Sequence, residues 1–237
     1  MKKLTVMLLA IVMLLTFVSC AEETGDAPYG MKLASDPEVV DYKVYVPEDW
    51  TITSKTGMTT AQVSLADATN MIITNHSHSN TVEYSDSKNT LIAYLYGADV
   101  IKTEAADTTG ADANADDRYD KDGYRKYEES LLHKDGCYLN RLYELFDTVK
   151  DENGNEISSF TMIEEPAFTT LKKGDNAVAA LTFVYSGTLD GAEVQQKMVL
   201  AYEDAYFYNI TFSTAPALYE NHKTTFATIL ENFTFED

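Results

Sequence analysis

Apolar residues in this chain follow three rhythms. The first is a solid block: Leu4 to Val18 is apolar except for Thr5 and Thr16. At about fifteen residues it falls short of the roughly 20 a spanning helix needs. The second rhythm is alternation with period two, the mark of a half-buried strand. Tyr42, Val44 and Val46 alternate with Lys43 and Tyr45, so Asp41 to Val46 is predicted as a strand. Pro47-Glu48-Asp49 ends it, and Trp50 begins the next element as a core anchor. Ala61 to Ala66 and Met71 to His76 are two more strands about the turn Asp67-Ala68-Thr69-Asn70. Ala177 to Tyr185, Val194 to Tyr202 and Tyr206 to Ser213 form an antiparallel meander, with Tyr206, Tyr208, Ile210 and Phe212 on one face. Ser186 to Gly191 and Glu203-Asp204-Ala205 are its turns.

The third rhythm is helical. Asn89 to Ile101 fits it, although Gly97 weakens the pattern. Tyr124 to Val149 carries Tyr127, Leu131, Leu132, Leu139, Leu142, Leu145 and Phe146 at near-helical spacing, with a break expected at Asp135-Gly136. The last helix has Thr214 where an N-cap belongs and Pro216 in its first turn. Its stripe of Leu218, Tyr219, His222, Phe226, Ile229, Leu230 and Phe233 should lie on one face of the sheet. Glu104 to Gly123 has no rhythm and reads as an exposed polar insert. Asn153-Gly154 signals a tight turn. The sum is one soluble α+β domain over residues 39–237.

Composition narrows the partners. The 237 residues include 45% hydrophobic side chains, enough for a core and against global disorder. Acidic residues number 38 against 18 basic ones. Loss of Lys2 and Lys3 with a leader moves the net charge from −20 to −22. Such a surface repels nucleic acid and anionic headgroups, which need a basic footprint. Cations and cationic partners remain open.

Met1-Lys2-Lys3 followed by the apolar block has the form of a signal peptide, residues 1–19. The block ends in Phe17-Val18-Ser19-Cys20, which resembles the lipobox of bacterial lipoproteins, with Phe17 where that family usually has Leu. The resemblance implies that the Cys20 thiol carries a diacylglyceryl group and that the leader is cut just before it. Two acyl chains hold a protein to a membrane where one is marginal, at about 0.8 kcal/mol per buried methylene. The expected location is therefore extracytoplasmic, lipid-anchored to a bacterial cell membrane. Residues 20–38, acidic and without apolar period, read as a flexible tether. With Cys20 lipidated, Cys137 stands alone and a disulfide framework is excluded.

Two segments resemble PsbP-like domains. One is the strand entering Tyr45-Val46-Pro47-Glu48-Asp49-Trp50. The other is the ending: a turn with Leu189-Asp190-Gly191, two long strands, Thr214-Ala215-Pro216, and a helix closing on Phe233-Thr234-Phe235. Together they span under a third of the chain. The resemblance implies a central antiparallel sheet with helices packed on both faces, an α/β/α sandwich. Plant members of that family are extrinsic photosystem subunits that retain manganese, calcium and chloride without doing chemistry. The implied role is binding or assembly, with no cofactor of its own.

Motifs that carry chemistry are sparse. There is no Gly-x-Ser-x-Gly elbow, Ser-x-x-Lys signature, Walker motif or dinucleotide glycine pattern. His133 and Cys137 are four apart, but Asp135-Gly136 interrupts any helix between them, so Cys137 is read as structural. His76 and His78 would share one face of a strand, near enough to hold zinc if a third ligand came from elsewhere. Asp120, Asp122, Gly123 and Glu129 mimic part of an EF-hand calcium loop, but Arg118 occupies its first position. The many tyrosines read mainly as core. The leading expectation is a non-catalytic, membrane-anchored binding or assembly module for an envelope protein or polymer. Alternatives are an accessory lipoprotein binding calcium, zinc or manganese, and a cell-envelope hydrolase.

Overall fold

The computed structural model describes residues 27–56, 58–63, 67–77, 83–101 and 117–236. The signal peptide, Cys20, His78 and residues 102–116 of the polar insert lie outside the described residues.

The strands are β1 (Met31–Leu33), β2 (Tyr42–Lys43), β3 (Tyr45–Pro47), β4 (Thr51–Thr56), β5 (Met58–Gln62), β6 (Asn70–Ser77), β7 (Thr148–Lys150), β8 (Glu156–Ser158), β9 (Thr161–Lys173), β10 (Asn176–Leu189), β11 (Ala192–Glu203), β12 (Tyr206–Thr214) and β13 (Thr234–Phe235). The helices are α1 (Ser87–Tyr96), α2 (Tyr138–Leu145) and α3 (Tyr219–Glu231). Nine strands form one sheet in the order β2-β13-β9-β10-β11-β12-β6-β5-β4. Every pairing is antiparallel except the two-residue contact of β13 with β9.

The central strands are apolar on both faces, which is why the sheet needs a layer on each side. Along β10, Val178, Ala180 and Val184 belong to one core while Leu181, Phe183 and Tyr185 belong to the other. Tyr208, Ile210 and Phe212 of β12 face the first core, as the alternation predicts, and Phe207 faces the second. The first core is closed by α3, through Tyr219, Phe226 and Ile229, and by the β1–β3 segment with Trp50. The second is closed by α1, through Leu91, Ile92 and Leu95, and by α2, through Leu139 and Leu142. Helices therefore cover both faces, the arrangement the PsbP resemblance implies. Each fully buried Leu, Ile or Phe contributes about 1.5–3 kcal/mol, so neither layer is dispensable.

Several expectations need correction. The tether does not run to residue 38: β1 pairs with β3, and Ala34 and Ser35 are buried. The Ser35 hydroxyl accepts the Val44 N–H at 3.1 Å, which ties that stretch into the first core. The predicted Tyr124–Val149 helix is instead a 3-10 turn at Glu129–His133, then α2, then β7. The break falls where Asp135-Gly136 predicts, with Gly136 at φ +80°, a conformation that favours glycine. Thr214 does not cap α3, which has no side-chain cap. Its hydroxyl is buried against that of Thr69 at 2.7 Å, tying the end of β12 to the start of β6. The turn at Asn153-Gly154 is borne out as the β7–β8 hairpin, with Asp151 Oδ1 accepting the N–H of Asn153 and Asn155. Asp190 and Gly191 both take positive φ, the two-residue hairpin geometry that suits the twist of β10 and β11.

Candidate binding cleft

The end of β6, α1, α2 and the loop before α2 enclose a cleft of about 370 Å³. Local chemistry sets its walls. Asp86 caps α1 by accepting the Lys88 N–H at 3.0 Å. Gly97 ends α1, donating its N–H to Ala93 O at 2.8 Å. The chain returns through Asp99, whose carboxylate pairs with Lys134. Cys137 starts α2: its sulfur accepts the Asn140 N–H at 3.4 Å and donates to Lys134 O at 3.1 Å. The Asn140 amide donates to Leu132 O at 2.8 Å. These bonds hold Tyr138 and Arg141 over the cleft.

Stacked rings form the wall. Tyr94 lies 4.1 Å from Phe207 and 4.8 Å from Tyr138, ring centre to ring centre. His76 stacks on Phe207 at 5.8 Å, and its Nε2 lies 3.0 Å from the Tyr94 hydroxyl. Burial pushes the Tyr94 hydroxyl up to about 12, against the opposing effects of an Asn209 hydrogen bond and the Arg141 charge. Burial also lowers the His76 pKa, and the Arg141 guanidinium lowers it further. The ring is therefore neutral at pH 7.

Besides the buried Cys137, the one residue offered by the sequence that lies on this cleft among those described is His76. It is engaged with Tyr94, and His78 and Cys20 lie outside the described residues. The EF-hand-like reading is corrected. Asp120 Oδ1 accepts the backbone N–H groups of Asp122 and Tyr124, both at 2.9 Å, so it closes its own loop. Asp122 and Glu129 are exposed. Among the described residues no three His, Cys, Asp or Glu side chains gather as an ion would need. His133 and Cys137 are not paired: the histidine packs edge-on against Tyr143 at 5.0 Å, while the buried thiol bonds backbone groups.

Tyr94, Tyr138 and Arg141 were not legible as site residues. Tyr94 sits in a helix buried from Thr90 to Tyr96, so no polar stripe marks its function. The one available signal was Arg141, one of three arginines in a strongly acidic chain.

By sequence, the chain matches no protein-family model and no curated protein. Among solved structures it is similar to cyanobacterial PsbP (CyanoP) from Synechocystis sp. PCC 6803, at 13% identity over 92% of this chain and 98% of that one, TM-score 0.42. It is also similar to PA94 from Pseudomonas aeruginosa, a protein of unknown function, at 13% identity over 85% and 94%, TM-score 0.37. A third is LpqN of Mycobacterium tuberculosis, described as involved in cell envelope biogenesis, at 11% identity over 81% and 82%, TM-score 0.39.

Proposed function

We propose that this chain is an extracytoplasmic lipoprotein, held to a bacterial membrane through Cys20, that works as a non-catalytic binding or assembly module. The observation that supports a binding rather than a catalytic role is how the reactive groups of the cleft are used. His76 is hydrogen-bonded to Tyr94, and the Cys137 thiol caps α2, so neither activates the other. A nucleophile needs a base within hydrogen-bond reach. What remains is a rigid wall of stacked rings with polar groups at its rim, the makeup of a recognition site. No helix among the described residues is long and apolar enough to cross a membrane; the proposed attachment is through the acyl chains on Cys20.

The test has two arms. Cys20→Ser should leave the precursor unprocessed or release the chain from the membrane fraction; unchanged processing and attachment would refute the anchor. The tagged, anchored chain should retain a discrete envelope partner after mild solubilisation. Hydrolysis of wall or sugar substrates by the purified chain would refute the non-catalytic role. Heat on titration with millimolar calcium, zinc or manganese would favour the ion-binding alternative.

A further inference from the structure

We propose that the cleft between β6, α1 and α2 receives an oxyanion, a carboxylate or phosphate group, gripped by Arg141, with the body of the ligand against the rings of Tyr94 and Tyr138. The proposal deepens the binding role given above and rests on it.

Acids outnumber bases by 38 to 18, so a cation in this chain has acids to spare as partners. Arg125 has taken one, pairing with Glu128. Arg141 has none among the described residues. Its one hydrogen bond is a 3.3 Å contact from Nη2 to Gly136 O, which leaves most of its five N–H donors unused. A guanidinium presents those donors as a planar fork matched to carboxylate and phosphate oxygens. The charge also lies on the cleft, which Arg141 lines together with His76, Tyr94 and Tyr138.

A second polar group, His76, lies on the same cleft. The Asn209 amide bonds the Tyr94 hydroxyl, and that hydroxyl meets His76 Nε2. Asn209 is buried, and its Oδ1 has no partner among the described residues. The Tyr94 hydroxyl and His76 Nε2 share a 3.0 Å hydrogen bond, and burial keeps the ring neutral. The cleft thus sets the Arg141 fork beside the neutral ring of His76. Of its two carboxylates, Asp99 is neutralised by Lys134, and Asp135 is exposed. The volume of about 370 Å³ admits a small organic acid or phosphoryl group, at the low end of ligand sites.

The experiment uses the full chain in detergent micelles and follows the Arg141 Nε–H and His76 ring signals by NMR during titration with inorganic phosphate, benzoate and benzamide. Phosphate or benzoate should produce saturable shifts at both residues and raise the His76 pKa, since an anion favours the imidazolium over the opposing effect of Arg141. Tighter binding of phosphate assigns a phosphoryl ligand, and tighter binding of benzoate a carboxylate; either supports the site. Arg141→Gln should weaken the affinity by at least about tenfold, Arg141→Lys should weaken it less, and Asp135→Asn should tighten it. Both residues flank the cleft at its surface, where substitution leaves the cores intact. The proposal is overturned if neither anion saturates at millimolar concentration, if Arg141→Gln binds as well as the parent, or if uncharged benzamide matches benzoate. Failure here leaves the membrane fractionation and partner-capture results standing, so the two readings fail separately.

Discussion

Gly187→Ala is a change that ordinary propensity scores as favourable and this structure scores as damaging. Gly187 lies in β10 opposite Val194, and its φ is not positive, so glycine is not there for backbone freedom. In a strand of that geometry, alanine should gain about 0.5–1 kcal/mol by restricting the unfolded chain. An added Cβ, however, would sit 2.4 Å from Phe146 Cδ1, 2.9 Å from Cε1 and 2.9 Å from Ser159 O. Phe146 cannot swing aside: it is buried and held edge-on by Phe160 at 5.6 Å and Tyr185 at 5.8 Å. Ser159 cannot move easily either, because its hydroxyl accepts the Thr188 N–H at 2.9 Å and its own N–H reaches Asp147 O at 2.8 Å. Overpacking of this kind costs about 1–3 kcal/mol. Contact with fixed backbone puts the cost near the upper end, so the net loss should be about 2 kcal/mol, or roughly 4–8 °C in Tm. Denaturant unfolding followed by circular dichroism measures it. Phe146→Leu in the same chain should recover part of the loss, so the double variant costs less than the two singles combined. If Gly187→Ala proves as stable as the parent or more so, the packing argument for this strand is wrong.

Phe226→Ala should cost about 3–5 kcal/mol, because the ring is fully buried and stacks on Phe212 at 4.6 Å; a loss under about 1 kcal/mol would mean α3 is not docked as described. Cys137→Ser should change stability by less than about 1 kcal/mol, since a hydroxyl can both accept from Asn140 and donate to Lys134, whereas Cys137→Val should lose about 1 kcal/mol of cap. A thiol reagent should label Cys137 only at the rate of unfolding, because it is buried. Alkali should unfold the chain through its buried tyrosines. Burial holds Tyr94 and Tyr219 up at about 12, above the usual tyrosine value near 10, so the stability they contribute is complete below pH 10 and is lost as pH rises toward 12. His76 acts at the other end: its pKa is lowered, so its contribution is present above its ordinary value of 6.5 and falls in acid. Denaturant midpoints across the pH range check both signs.

Much of the architecture was legible because burial writes itself into spacing. Tyr42, Val44 and Val46 are all fully buried, and the three strands of the C-terminal meander fall where alternation and turn residues put them. The stripe of α3 lands on the sheet through Tyr219, Phe226, Ile229 and Phe233. By contrast β9 left no such mark. Along its 13 residues only Leu171 is buried, and Pro166 interrupts it near the register shift against β10. It is a strand because β10 offers it hydrogen bonds, which its own side chains do not record.

The binding cleft is the extreme case of the same limit. His76 was a visible candidate, but the residues that give it meaning stand far off in the chain: Tyr94 on α1, Arg141 on α2, and Phe207 and Asn209 on β12. Spacing along a chain reports which side of a strand or helix faces water, because that depends on neighbours two to four residues away. The protonation of His76 and the direction of its hydrogen bond depend on groups that meet only when the sheet closes between its two helical layers. The elements were therefore determined by local pattern, while the chemistry of the cleft was decided by packing.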